Sequence, residues 1–339
     1  MSTYSVPNNP RQPTAGEITL AQAVRDALAE EMRRDTRVIV LGEDVGSPGG
    51  PSKMQGLIEE FGPKRVLNTP ISEAGFTGIA VGAAMTGMRP VVDIMVGDFV
   101  TLIMDQIVNQ AAKIHYMSGG KWKVPIVVRT TMGATGRAAA QHSQSLHAWF
   151  CHVPGIKVIL PSTPYDAKGL LKAAIRDDNP VIFIENKATY RVTGQVPEAD
   201  YRIPLGLADI KRQGEDLTIV ATSRMVGRAL EAAQLLEQDN LSAEVVDPRT
   251  LVPLDRDTLV ASARKTRRVM ILDEGYEQYG ISGELASVIT EGAFDCLDAP
   301  VKRMGAMNVP VPFSPVLEDL TVPTPERIAV VARSLCEKA

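Results

Sequence analysis

Carboxylates and histidines define the chemistry open to this chain. Glu73 stands in the stretch TPISEAGFTGIAVGAAMTGM, residues 69–88. Thr69-Pro70 closes an extended run, and Ser72 is placed to cap a helix. Glu73 then falls in the first turn, where a carboxylate suits the positive helix end. Gly75, Gly78 and Gly82 follow three and four residues apart, on one helical face. Each glycine costs a helix roughly 1 kcal/mol relative to alanine. Three on one face therefore need a reason, and close approach by another backbone is one. Two readings stand at this point. Glu73 caps a helix whose glycines only pack, or it is an acid aimed at a junction between chains or domains.

Two further places carry chemistry. Val38–Leu41 is a short apolar run that ends in Gly42-Glu43-Asp44. A buried parallel strand delivers side chains to a site at that end, and a solvated loop is the competing reading. Gln141-His142-Ser143-Gln144 follows a strand and a loop, where active-site residues tend to sit. A histidine there can donate to a developing oxyanion or carry a proton; it can equally be satisfied by local hydrogen bonds. The other histidines are His115, His147 and His152. His142, His147 and His152 are spaced by five, which does not share a helical face. With no Cys-x-x-Cys beside them, they do not read as a zinc site. The nucleophile elbow GxSxG, the phosphate loop GxxxxGK[ST] and HExxH are absent from the sequence.

The elements that must position these residues alternate. A helix is expected over 18–34, with Leu20, Val24, Ala27, Leu28 and Met32 as its apolar stripe. Strands are expected over 38–41, 66–67, 90–95, 124–131, 158–160 and 181–185. A second helix is expected over 102–117, striped by Ile103, Ile107, Ala111 and Ile114. The long loop 132–145 holds His142. After a linker, strands over 217–222, 243–246, 268–272 and 301–304 alternate with helices over 227–238, 256–265 and 281–292, and a last helix covers 326–335. Strand-helix alternation predicts an α/β fold with two domains, each a mostly parallel sheet flanked by helices. The expected divisions are a disordered tail 1–16, a first domain 17–190, a linker 191–206 and a second domain 207–339.

Composition narrows the class. The chain has 339 residues, enough for two cores. Its formal net charge of −4 gives no basic footprint for nucleic acid. Cys151, Cys296 and Cys336 are odd in number and far apart, which favours a reducing compartment. No apolar run reaches the roughly 18 residues of a membrane span. The N-terminus has neither a signal core nor an Arg-rich presequence, so the expectation is cytoplasmic.

In order along the chain stand GEDV, TPISEAGFTGIAVGAAMTGMRPV, DQIVNQAAKIHYMSGG, AAQHSQS, PGIKVILPSTPYDAKGLLKAAIRDDNPVIFIE and DPRTLVPLD. Together they resemble the β subunit of the thiamine-diphosphate-dependent decarboxylating component of 2-oxo-acid dehydrogenase complexes. The resemblance covers nearly everything after about Gly16. It implies a transketolase-like pyrimidine-binding domain, then a transketolase C-terminal-like domain. It also implies a heterotetramer of two α and two β chains, working with a lipoyl-bearing acyltransferase core. The family's GDG…N motif, which holds Mg2+ and the diphosphate, belongs to the α chain; here Gly97-Asp98-Phe99 lacks the second glycine.

The resemblance also implies residue roles. Glu73 matches the acid that hydrogen-bonds the aminopyrimidine ring and promotes its imino form, a task suited to a carboxyl shielded from water. Glu43 matches a second acid near the cofactor, and Ile71, Met95 and Phe99 match positions around the ring. His142 matches the histidine on the substrate side, which assists acyl transfer to lipoyl. A structural K+ is implied near Ile126, Ala174, Ile175, Asp177 and Asn179, through oxygen ligands that suit a hard cation. The implied activity is that of a pyruvate or acetoin dehydrogenase. A branched-chain 2-oxo-acid enzyme, a non-catalytic interaction subunit and a self-contained transketolase are the rival readings.

Overall fold

A computed structural model describes residues 15–47 and 54–337. Most of the expected tail and of the Gly/Pro-rich loop after Ser47 lies outside them. The described chain forms two compact units: residues up to Met132 with Trp149–Leu205, and Gly133–Ala148 with Gly206 onward.

The first unit is a parallel sheet ordered Lys157–Ile159, Val181–Asn186, Val127–Met132, Arg89–Ile94, Val38–Gly42, Val66–Asn68. Its strands are apolar along their length because helices cover such sheets on both faces. Helix Leu20–Arg34 buries Leu20, Val24, Ala27, Leu28 and Met32, the stripe expected of it. Thr19 and Gln22 close its N-terminus as a reciprocal capping box. The helix starts two residues later than the periodicity suggests. Ile18 belongs instead to strand Ala15–Thr19, which pairs antiparallel with Thr193–Pro197. The expected linker therefore contains a strand of the first unit. Helix Pro164–Arg176 packs on Leu20–Arg34, and charges between them are paired. Glu30 takes Lys168 at 2.7 Å and Lys172 at 2.6 Å, and buried Glu31 takes Arg176 at 2.6 Å.

Helix Glu73–Met85 begins where expected, but Ser72 makes no side-chain capping bond. The expected single helix over 102–117 is three pieces: a 3-10 stretch Gly97–Ile103, a π stretch Asp105–Ala111 and an α turn Ala112–Met117. The buried stripe Ile103, Ile107, Ala111 survives. A period-3.6 reading cannot see the wider turn, which is characteristic of functional regions.

The second unit holds a five-stranded sheet ordered Lys302–Ala306, Val269–Tyr276, Leu217–Ala221, Ala243–Asp247, Asp209–Arg212. Only the polar edge strand Asp209–Arg212 runs antiparallel. That strand and the short helix Pro315–Thr321 have no clear apolar pattern and escape sequence reading.

Phe183 is fully buried on a central strand of the first unit. Phe183→Ala is expected to cost about 3–5 kcal/mol, read from urea unfolding; a loss below 1 kcal/mol would contradict this packing.

Candidate active site

The first unit brings its acids together at the carboxyl ends of adjacent strands. Glu43 follows Val38–Gly42, Glu73 opens the helix after Val66–Asn68, and Met95 and Phe99 follow Arg89–Ile94. Strand order reverses around Val38–Gly42, which has the next strand, Val66–Asn68, on one side and the following one, Arg89–Ile94, on the other. Open parallel sheets bind ligands at such reversals. Two glycines make the approach possible. A Cβ on Gly42 would lie 2.6 Å from the Asp93 carbonyl oxygen, and one on Gly97 would lie 2.2 Å from that of Thr131.

Glu73 is only 8% exposed although it stands at a helix start. Glu43 is half-buried and lies within the electrostatic reach of Glu73. Burial, the Glu73 charge and then Asp44 push the Glu43 carboxyl above the usual carboxylate range. Its Oε1 is buried with no hydrogen-bond partner among the described residues. Met95 and Phe99 are half-buried, and Ile71 is 82% exposed on the turn before the helix. The helix beyond Glu73 is bare along one face, where Gly75, Gly78, Ile79 and Gly82 are all exposed.

Behind the acids lies a charge network that the sequence does not announce. Buried Arg129 bonds Glu185, with one contact at 2.8 Å, and also bonds buried Asp93. Burial raises the Asp93 carboxyl to about 6, against the pull of Arg129 and with the charges of Glu185 and Glu43 adding. The five residues expected near K+ lie just before the paired strands Val127–Met132 and Val181–Asn186, at their amino ends. Arg89 Nη1 donates to the carbonyls of Ile175 (3.0 Å) and Asp177 (2.8 Å). The Ile126 carbonyl accepts from Val181 N and that of Ala174 from Asp177 N, while Asn179 N donates to the Asp177 carboxylate. Each carbonyl still keeps a second lone pair.

His142 is carried by the second unit, in the loop Gly133–Ala148. It is exposed, while its neighbour Ser143 is buried. The same loop ends at a residue that sequence reading passed over. His147 is fully buried, and its Nε2 lies 2.9 Å from Asp273 Oδ2. Thr222 Oγ1 donates to Asp273 Oδ1 at 2.6 Å, and Gly275 N donates to Oδ2 at 3.1 Å. Burial pulls the imidazole down, but Asp273 and then Glu274 more than offset this and raise it above the ordinary value of 6.5. The Asp273 carboxyl is pushed up by burial, and His147 with the Thr222 and Gly275 bonds outweighs this to hold it low.

Residues 16–193 match the family described as "Transketolase, pyrimidine binding domain", and residues 206–328 match "Transketolase, C-terminal domain". The β subunit of acetoin:2,6-dichlorophenolindophenol oxidoreductase from Bacillus subtilis (strain 168) is 49% identical over 331 residues, covering 94% of this chain and 97% of that one. The chain belongs to this transketolase-like family of dehydrogenase β subunits. The pyruvate dehydrogenase E1 β subunit of Rickettsia felis is also 49% identical, over 94% of this chain and 98% of its own. The 2-oxoisovalerate dehydrogenase β subunit of Bacillus subtilis is 45% identical over 93% and 97%. Among solved structures, a split-gene transketolase described as an inactive β4 tetramer superposes with a TM-score of 0.75 at 25% identity, covering 95% of this chain and 99% of that one. Transketolase from Leishmania mexicana has the same fold, at a TM-score of 0.71 and 18% identity over 96% of this chain and 47% of its own. Among the described residues no helix is long and apolar enough to cross a membrane.

A raised histidine contributes stability that is whole below about pH 6.5 and lost as pH rises through its folded value. The unfolding free-energy gap between the chain and His147→Gln is therefore expected to be widest near about pH 6 and to shrink at higher pH. Urea melts across pH read this gap, and a gap independent of pH would count against the ion pair.

Proposed function

We propose that this chain is the β subunit of a thiamine-diphosphate-dependent dehydrogenase acting on pyruvate or acetoin, complete only with an α partner. The single observation that carries the proposal is the shielded acid Glu73 at a strand-end site, close enough to a second acid, Glu43, to raise its carboxyl, and adjoining a bare glycine face. Relatives named for pyruvate and for acetoin stand level at 49% identity, so both substrates stay in the reading; the branched-chain relative follows at 45%.

The residues present fit the cofactor. The orphaned buried Oε1 of Glu43 is a polar atom waiting for a donor, and Phe99 and Met95 offer half-buried surface to a ring. Thiamine diphosphate, when bound, supplies a nucleophilic thiazolium carbon activated through its aminopyrimidine ring. Glu73 would hold a proton at the ring nitrogen opposite the amino group, with Glu43 as its acidic neighbour. Exclusion of water around Glu73 keeps that proton exchange directed. Ile71 and the ring of Phe99 would bear on the pyrimidine. His142 would donate to the substrate oxygen and assist passage of the acyl group to the lipoyl arm of an acyltransferase core. The diphosphate and its Mg2+ belong to the α chain in this reading.

The exposed Gly75, Gly78 and Gly82 face, with Ile79 67% exposed, gives that chain a surface for close backbone approach. An assembly of two α and two β chains is the proposed form, in the cytoplasm. A structural K+ would use the free lone pairs of the carbonyls at Ile126, Ala174, Ile175 and Asp177, with Asn179.

In the reconstituted complex with its α partner, Glu73→Gln is expected to lower decarboxylation on the order of 10²- to 10⁴-fold while α binding persists. Full activity would remove Glu73 from the reaction. Parallel assays with pyruvate, acetoin and a branched 2-oxo acid are expected to favour one of the first two; preference for the branched acid would overturn the substrate assignment.

A further inference from the structure

The loop that carries His142 is gripped at both ends by consecutive residues of one strand. Strand Val269–Tyr276 contains Asp273, Glu274 and Gly275. Neighbouring strand residues point to opposite faces, so adjacent acids can seize two separate pieces of chain. Glu274 Oε1 accepts from Ala134 N at 2.8 Å, near the start of the loop. Asp273 Oδ2 takes His147 Nε2 at 2.9 Å, at its end. Gly275 leaves room for the imidazole: a Cβ there would lie 2.6 Å from Asp273 Oδ2 and 3.1 Å from His147 Cε1.

The grips are reinforced. Arg224 Nη1 donates to the Ala134 carbonyl at 3.1 Å and lies 3.4 Å from Glu274, so both polar groups of one loop residue are held. Between the ends, Arg137 reaches Glu318 at 2.5 Å and Asp319 at 2.8 Å. Arg137 and Ala139 both have positive φ, near 60°. Non-glycine residues adopt that region at a cost and persist there when their surroundings hold them. There is no regular secondary structure between Gly133 and Leu146, and these side chains anchor the loop that carries His142.

We propose that Asp273 and Glu274 are positioning residues for His142, fixing the two ends of its loop from one strand. The inference rests on the reading that His142 acts in acyl transfer. Asp273 and Glu274 themselves do not meet substrate in this account; they act through the loop.

The test uses the full chain reconstituted with its α partner and a lipoyl domain as acceptor. Glu274→Ala and Asp273→Ala are expected to lower kcat for lipoyl acylation on the order of tenfold to a hundredfold, the size that a small misplacement of a reacting group produces. The substrate KM is expected to stay within about twofold. Glu274→Gln keeps an oxygen facing Ala134 N and is expected to recover most of the rate. Amide hydrogen exchange of residues 134–147 is expected to quicken in both alanine variants, a readout independent of activity. The double variant His142→Ala with Glu274→Ala is expected to be no slower than His142→Ala alone, because residues acting through one another do not add.

Additive losses in the double variant, or a loosened loop with an unchanged transfer rate, would overturn the positioning role. So would unchanged exchange, including the case where Asp273→Ala fails to fold and Glu274→Ala leaves the loop protected. His142→Ala transferring at the full rate would instead overturn the reading of His142, and the catalytic sense of the anchors with it.

Discussion

Two carboxyl groups in contact cannot both give up their protons cheaply. Burial and then the nearby Glu73 charge raise the Glu43 carboxyl above the usual carboxylate range. The rest of the first unit makes that proximity possible. Adjacent parallel strands bring the two acids to one end of the sheet. Gly42 and Gly97 admit backbone approaches that a Cβ would block. The Arg129 network holds compensating charge further inside, where a buried Asp93 would otherwise stand alone. Beside the shielded Glu73 the helix leaves a bare face of Gly75, Gly78 and Gly82, open to close approach by another backbone.

Much of this architecture was legible in the sequence because it rests on local regularity. Apolar runs gave the parallel strands, and the period-3.6 stripe from Leu20 to Met32 gave the covering helix. Glu73 could be placed at a helix start from its neighbours alone. Where reading failed, longer-range contacts decided. Ile18 fell inside the expected helix but pairs with the distant Gly194. Ser72 has the right residue type for a cap but not the side-chain bond. The apolar spacing from Ile103 to Ala111 conceals a π turn, since both windings bury the same residues.

The second unit shows the same limit more sharply. Asp273 and His147 are 126 positions apart, and nothing local to either marks the other. His147 was weighed only as a metal ligand with its fellow histidines, and the charge that gives it a role comes from another stretch of chain. Arg129 with Glu185 and Asp93 is equally silent, because each residue sits in an apolar strand and reads as an irregularity. A buried ionisable residue in such a strand demands a partner, and that is the signal by which they could have been flagged. The family resemblance supplied Glu73, Glu43 and His142 but said nothing of what holds the last in place.

The loop Gly133–Ala148 precedes much of the first unit in the chain yet belongs to the second. The chain therefore passes between the units more than once, and a single cut near residue 206 does not separate them. A hybrid made by exchanging C-terminal halves between relatives would take the loop from one parent and Asp273, Glu274 and Gly275 from the other. Recombination at that natural-looking joint would preserve both folds while mismatching a hinge segment with its bearing. The loop and its anchors form one unit in space although more than a hundred residues of chain lie between them.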